Sequence, residues 1–178
     1  MGSFNDGKTE VVAWIHENIK RGATCLDVGA CNGKWSKLLR DYLKMDAVEV
    51  WRPNVWGYKL TEKYDEVFQS NIIGFNYPKN YDLIIFGDVL EHMTVKEAQS
   101  VISEARKHAD RILVAVPFLF EQGEKGGNPF EVHKQADLTH EIFMERYPGF
   151  EPIYMIEGYA YYVNEVRYVR TNDNHSGV

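Results

Sequence analysis

Cysteine is scarce. Cys25 and Cys31 are the only two in 178 residues, and they do not form a Cys-x-x-Cys pair. That excludes a disulfide framework and makes a reducing, cytoplasmic compartment the simplest expectation. Basic residues are in deficit, with 20 Lys and Arg against 26 Asp and Glu, a net charge of −6. Such a surface repels phosphate backbones, which disfavours general nucleic-acid binding. No apolar run approaches the ~18–20 residues of a membrane span. The opening Met1–Asp6 carries no basic, apolar leader, and Asp6 stands where a myristoylation signal needs Ser or Thr. What is present is ordinary globular usage, 44% hydrophobic and 26% charged. The length suits one core, which we assign to residues 1–170, with 171–178 as a polar tail.

Helical and strand patterns alternate, which predicts an α/β layer architecture. Val11, Val12, Ile15 and Ile19 recur at helical spacing before Gly22, and Thr24 to Val28 reads as a buried strand. Trp35, Leu38, Leu39 and Tyr42 mark a second helix face. Ala47 to Val50 and Val67-Phe68 read as short strands. Between them Pro53 and Gly57 break the pattern, leaving a short helix near Thr61. Tyr81 to Phe86 is a buried strand, Val95 to Ala105 a helical stripe, and Ile112 to Val116 a strand stopped by Pro117. A long loop follows over 118–137, then a helix capped by Thr139. Ile153 to Ile156 and Tyr159 to Val169 close the chain as an antiparallel hairpin. Its tyrosines 154, 159, 161, 162 and 168 read as strand packing, with a homodimer surface as a second use.

The chemistry concentrates where the first strand ends, in Asp27-Val28-Gly29-Ala30-Cys31-Asn32-Gly33-Lys34. In an open α/β sheet, ligands bind beyond the carboxyl ends of the strands. Gly29 and Gly33 allow a tight turn and close approach of a ligand to the main chain. The spacing is neither the Gly-x-Gly-x-x-Gly of dinucleotide folds nor a P-loop, since Trp35 follows Lys34. Glu49 comes 22 residues after Asp27, where nucleotide-binding βαβ units place the acid that grips a ribose diol. The fourth strand ends in a second polar cluster, Gly87-Asp88-Val89-Leu90-Glu91-His92. There Asp88 can meet an ammonium group, and Glu91 and His92 can act as acid or base, or simply cap and pack.

These runs resemble two motifs of the class I S-adenosylmethionine-dependent methyltransferases. Leu26–Gly33 is similar to their first motif, Glu49 to their ribose-binding acid, and Tyr81–His92 to their fourth-strand motif. The order of elements agrees over nearly the whole chain. The resemblance implies a Rossmann-like, doubly wound sheet of seven strands in the order 3-2-1-4-5-7-6, mostly parallel with an antiparallel C-terminal hairpin. It implies S-adenosyl-L-methionine held by Asp27, Gly29, Ala30, Cys31, Gly33, Glu49, Asp88 and Val89, with Asn71 and Ile72 beside the adenine. Cys31 departs from the family's usual glycine, narrowing the loop while leaving its N–H available.

The expected activity is methyl transfer to an oxygen or nitrogen of a small-molecule acceptor. The acceptor site is expected between Asp88–Met93 and a glycine-bearing lid over Phe118–Lys134, with His92 and His133 as candidate general bases. His133, Asp137 and His140 would share a face on one continuous helix and could ligate a metal. Asp137 and Thr139 read instead as cap positions, so no metal is expected. Rival readings are a non-catalytic cofactor-binding module and a nucleic-acid or protein methyltransferase. The latter lacks the Asn/Asp-Pro-Pro-Tyr/Phe run of amino-methylating enzymes. A nicotinamide-dependent dehydrogenase is disfavoured by the glycine spacing.

Overall fold

The computed structural model describes residues 6–166. In chain order it contains α1 (Lys8–Asn18), β1 (Thr24–Val28), α2 (Lys34–Leu39), β2 (Lys44–Val48), α3 (Arg52–Gly57), β3 (Val67–Phe68) and β4 (Tyr81–Gly87). Then follow α4 (Val95–Ala105), β5 (Ala109–Pro117), α5 (His140–Arg146), β6 (Glu151–Ile156) and β7 (Tyr159–Glu165). Single 3-10 turns sit at Leu60–Glu62, Leu90–His92 and Pro129–Glu131.

The strands form one sheet of seven in the order β3-β2-β1-β4-β5-β7-β6. β1 to β5 run parallel, and β7 is antiparallel to both β5 and β6. This is the topology that the resemblance implied. Central parallel strands are covered on both faces, so they read as continuous apolar runs. Successive side chains of β4 therefore enter different cores. Ile84 and Phe86 pack with Ala98, Val101 and Ile102 of α4 and with Phe143 of α5. Leu83 and Ile85 pack on the other side with Val11 and Ile15 of α1 and with Trp35 and Leu39 of α2. α4 starts in a capping box, Thr94 with Glu97, that satisfies two orphan N–H groups.

Several sequence expectations are corrected. β2 starts at Lys44 rather than Ala47, because Lys44–Val48 pairs residue for residue with Thr24–Val28. Asp46 disguised it. This buried carboxylate is held by Lys79 at 2.7 Å and the Tyr81 hydroxyl at 3.0 Å. Pro53 and Gly57 bound a helix instead of breaking one, since proline in a first turn forfeits only an orphan N–H. Leu38 is exposed. β5 begins at Ala109 and β6 at Glu151, earlier than expected. Tyr159, Tyr161 and Tyr162 are buried within this one chain, so they offer no tyrosine surface to a second copy. Tyr168, the strand's expected reach to Val169 and the 171–178 tail lie outside the described residues. Cys25 is fully buried, and neither cysteine is bridged.

Candidate active site

The carboxyl ends of β1, β2, β4 and β5 open on one cleft of about 440 Å³. Its floor is the loop from β1 to α2. Gly29 has φ +71° and donates its N–H to the Val48 carbonyl at 2.8 Å. Cys31 is also left-handed, at φ +47°. Its N–H is not open as expected: it donates to Glu49 Oε2 at 2.7 Å. The Trp51 N–H takes the other carboxylate oxygen at 2.7 Å. Glu49, one residue past β2, thus ties the loop to the neighbouring strand. Burial raises its carboxyl, and the two N–H groups pull it back down.

Gly29, Ala30, Cys31, Glu49, Asn71, Ile72, Asp88 and Val89 all line this cleft, and so do His92 and His133. Asp27 and Gly33 do not. Asp27 is 1% exposed beneath the loop, where its Oδ2 accepts the Tyr64 hydroxyl at 2.5 Å. Its Oδ1 has no partner, and burial pushes the carboxyl up to about 7. Gly33 begins α2 at φ +76°, and a Cβ there would meet Lys63 Cδ at 2.8 Å.

Sequence reasoning missed several supporting groups. Lys8 reads as a surface residue, yet it is buried with its ammonium 3.8 Å from the centroid of the Trp35 ring. Burial pulls that ammonium down to about 8, with the Asp88 charge opposing. The Tyr159 hydroxyl donates to Asp88 Oδ1 at 2.5 Å, across 71 residues of sequence. Asp88 itself holds φ +57°. No local pattern signals such partners, because each comes from a distant element of the sheet.

The far end of the cleft gathers Glu91, His92 and His133. The two imidazoles stand edge to face, 4.7 Å between centroids. His92 Nδ1 lies 3.3 Å from the Val132 carbonyl and His133 Nδ1 2.7 Å from the Phe120 carbonyl. A carbonyl only accepts, so each Nδ1 carries the proton and each Nε2 keeps a lone pair when the ring is neutral. Burial favours the neutral ring for both. Glu91 is 1% exposed, and neither of its oxygens reaches a donor beyond its own backbone N–H. Burial pushes its carboxyl well up, and the nearby Asp88 charge adds to the rise.

The triplet His133, Asp137 and His140 does not assemble. Asp137 is held by the Arg146 guanidinium at 2.8 and 2.5 Å. His140 Nδ1 lies 3.0 Å from the Tyr162 hydroxyl, and its ring stacks on that tyrosine.

The long loop is anchored at its base. Lys134 and Gln135 donate N–H groups to the Glu91 carbonyl at 2.8 and 3.1 Å, and Leu119 donates to Leu138 at 2.9 Å. At its tip, by contrast, a Cβ at Gly123, Gly126 or Gly127 would meet nothing within 4 Å. Gln122 and Asn128 are bonded into the loop, so we expect lid motion to be confined to residues 123–127. Amides there should exchange freely in the apo protein and slow when cofactor and acceptor are bound, while those of 134–138 stay protected throughout. Strong, unchanged protection of the tip would remove the lid.

No protein-family model matches the chain, and no curated protein sequence does. Solved structures do match. A S-adenosylmethionine-dependent methyltransferase from Clostridium acetobutylicum aligns at 10% identity over 89% of each chain, with a TM-score of 0.69. The 1,6-didemethyltoxoflavin-N1-methyltransferase of Burkholderia thailandensis, with 1,6-didemethyltoxoflavin and S-adenosylhomocysteine bound, aligns at 16% identity over 90% of this chain and 79% of that one, TM-score 0.62. The N-methyltransferase NodS of Bradyrhizobium japonicum aligns at 11% identity over 90% and 98%, TM-score 0.61. The chain has the methyltransferase fold. No helix among the described residues is long and apolar enough to cross a membrane.

Proposed function

We propose that this protein transfers a methyl group from S-adenosyl-L-methionine to an oxygen or nitrogen of a small-molecule acceptor. The observation that carries this is the Gly29–Gly33 loop, clamped by Glu49 at the carboxyl edge of a sheet in methyltransferase order. The residues present suit the cofactor. Gly29 lets Val89 close onto the cleft floor, since a Cβ there would stand 2.7 Å from Val89 Cγ2. Trp35, which lines the cleft, has a buried Nε1 with no partner, a donor that a bound cofactor could use.

When bound, the cofactor supplies an electrophilic methyl on a sulfonium and leaves as a neutral thioether. Glu49 retains lone pairs for the ribose hydroxyls. Asn71 and Ile72, which line the cleft, would border the adenine. Asp88, oriented by Tyr159, supplies negative charge toward the cationic end, and Val89 packs above Gly29. Catalysis then consists mainly of positioning. His92 and His133 both line the cleft, and where no ion holds them their Nε2 lone pairs could take an acceptor's proton.

The Burkholderia neighbour, by its name, methylates a nitrogen of a small heterocycle, and the net charge of −6 argues against a nucleic-acid acceptor. Two unbridged cysteines fit a cytoplasmic setting. A thermal shift separates the cofactor readings: S-adenosylmethionine should raise the melting temperature and NAD should not. Glu49→Ala should weaken cofactor binding by roughly 1–3 kcal/mol, about 5- to 150-fold, through loss of a charge-assisted bond. Stabilisation by NAD alone, or unchanged affinity in Glu49→Ala, would sink this reading.

A further inference from the structure

Among the described residues, Glu91 stands out as a buried carboxyl whose two oxygens both lack a partner. A carboxyl at 1% exposure with no donor beyond its own N–H is strongly penalised by desolvation if it is charged. Native structures tolerate such a group where a partner is supplied from outside the chain. Two imidazole nitrogens stand beside it. One ligand atom from each of Glu91, His92 and His133 can be chosen so that all lie within 4.8 Å of one another. Ligands of one ion at ~2.0–2.2 Å lie at most ~4.4 Å apart, so small side-chain rotations close the set.

The outer contacts agree. Metal-binding histidines donate their second ring N–H to a carbonyl or carboxylate, which fixes the tautomer and aims the lone pair. Both histidines do this here, to the Val132 and Phe120 carbonyls. The two halves of the site are locked together, since Lys134 and Gln135 bond to the Glu91 carbonyl.

We propose that Glu91, His92 and His133 form a divalent-cation site at the acceptor end of the cleft, with remaining coordination positions open to oxygen ligands of the acceptor. Two imidazoles and one carboxylate favour zinc, cobalt, manganese or ferrous iron over calcium or magnesium. As ligands, the histidines hold the ion instead of taking the proton. The cation site stands independently, whereas its role in orienting an acceptor oxygen rests on the methyl-transfer reading.

The test uses tag-free protein and Co²⁺, whose visible absorption reports coordination, with Zn²⁺ as competitor. One Co²⁺ should bind per chain and be displaced by Zn²⁺. Glu91→Gln and His133→Ala should each weaken binding by at least the ~10–100-fold that loss of an outer partner costs. His140→Ala, outside the cluster, should not. Thermal melts without metal verify that each variant is folded, and the half-buried loop position of His133 keeps one variant informative should Glu91→Gln fail. Equal Co²⁺ affinity in parent and His133→Ala would overturn the site. Stabilisation by S-adenosylmethionine, measured on the same samples, fails only if the methyl-transfer reading fails.

Discussion

Gly29→Val should abolish S-adenosylmethionine binding, by more than about 100-fold, in a chain that still folds with reduced stability. Gly29 sits at φ +71°, where an L-residue costs roughly 1–2 kcal/mol. A Cβ there would stand 2.7 Å from Val89 Cγ2, inside contact distance. The two valine methyls must then either displace Val89 or enter the cleft, and both residues line it. Gly29→Ala should fall between parent and valine. Pairing it with Val89→Ala should recover the part due to collision and leave the part due to backbone strain. Calorimetric titration reads the affinity and a urea melt reads the fold. Parent-like affinity in Gly29→Val would place the cofactor elsewhere.

Asp27→Asn should remove a large pH dependence of stability. Asp27 holds its proton up to about 7 in the folded chain because it is buried, against 3.8 when unfolded. Between those values the folded state binds more protons, so stability falls as pH rises through the window. Full traverse corresponds to about 4 kcal/mol. The asparagine cannot ionise and escapes that decline. Urea melts at pH 4 and pH 8 should therefore show the parent losing ground to the variant by several kcal/mol at the higher pH. A difference between the two proteins that stays constant with pH would mean that Asp27 ionises freely when folded.

The framework of the sheet could be read from sequence because its strands obey local rules. Tyr81–Phe86 is apolar throughout, as a strand covered on both faces must be, and Gly29 and Gly33 punctuate a turn that few other residues could make. Glu49 was legible by its distance from Asp27. Other features depend on residues far apart in the chain. β2 was misjudged because Asp46, balanced by Lys79 and Tyr81, interrupts its apolar pattern. Lys8 was invisible as a buried group, since the aromatic ring that covers it lies 27 positions on. The meeting of His92 with His133 depends on how a 20-residue loop folds back, which composition does not encode. Thr139 was legible as a cap, so that α5 starts at His140, while the holds of Arg146 on Asp137 and of Tyr162 on His140 were not.

The position of β7 bears on how the molecule assembles during synthesis. Its residues 159–165 are made after every other strand, yet they occupy an interior lane between β5 and β6. β5 and β6 have no hydrogen-bonded ladder with each other, so until residue 165 leaves the ribosome β5 presents an open edge, apolar over Ile112–Pro117. β6 meanwhile has no strand to pair with, although α1 packs against it. A nascent chain paused between residues 117 and 159 is thus the form most exposed to mispairing and to chaperone capture. The same late strand carries Tyr159, so the acidic group at Asp88 acquires its orienting partner only at that final insertion.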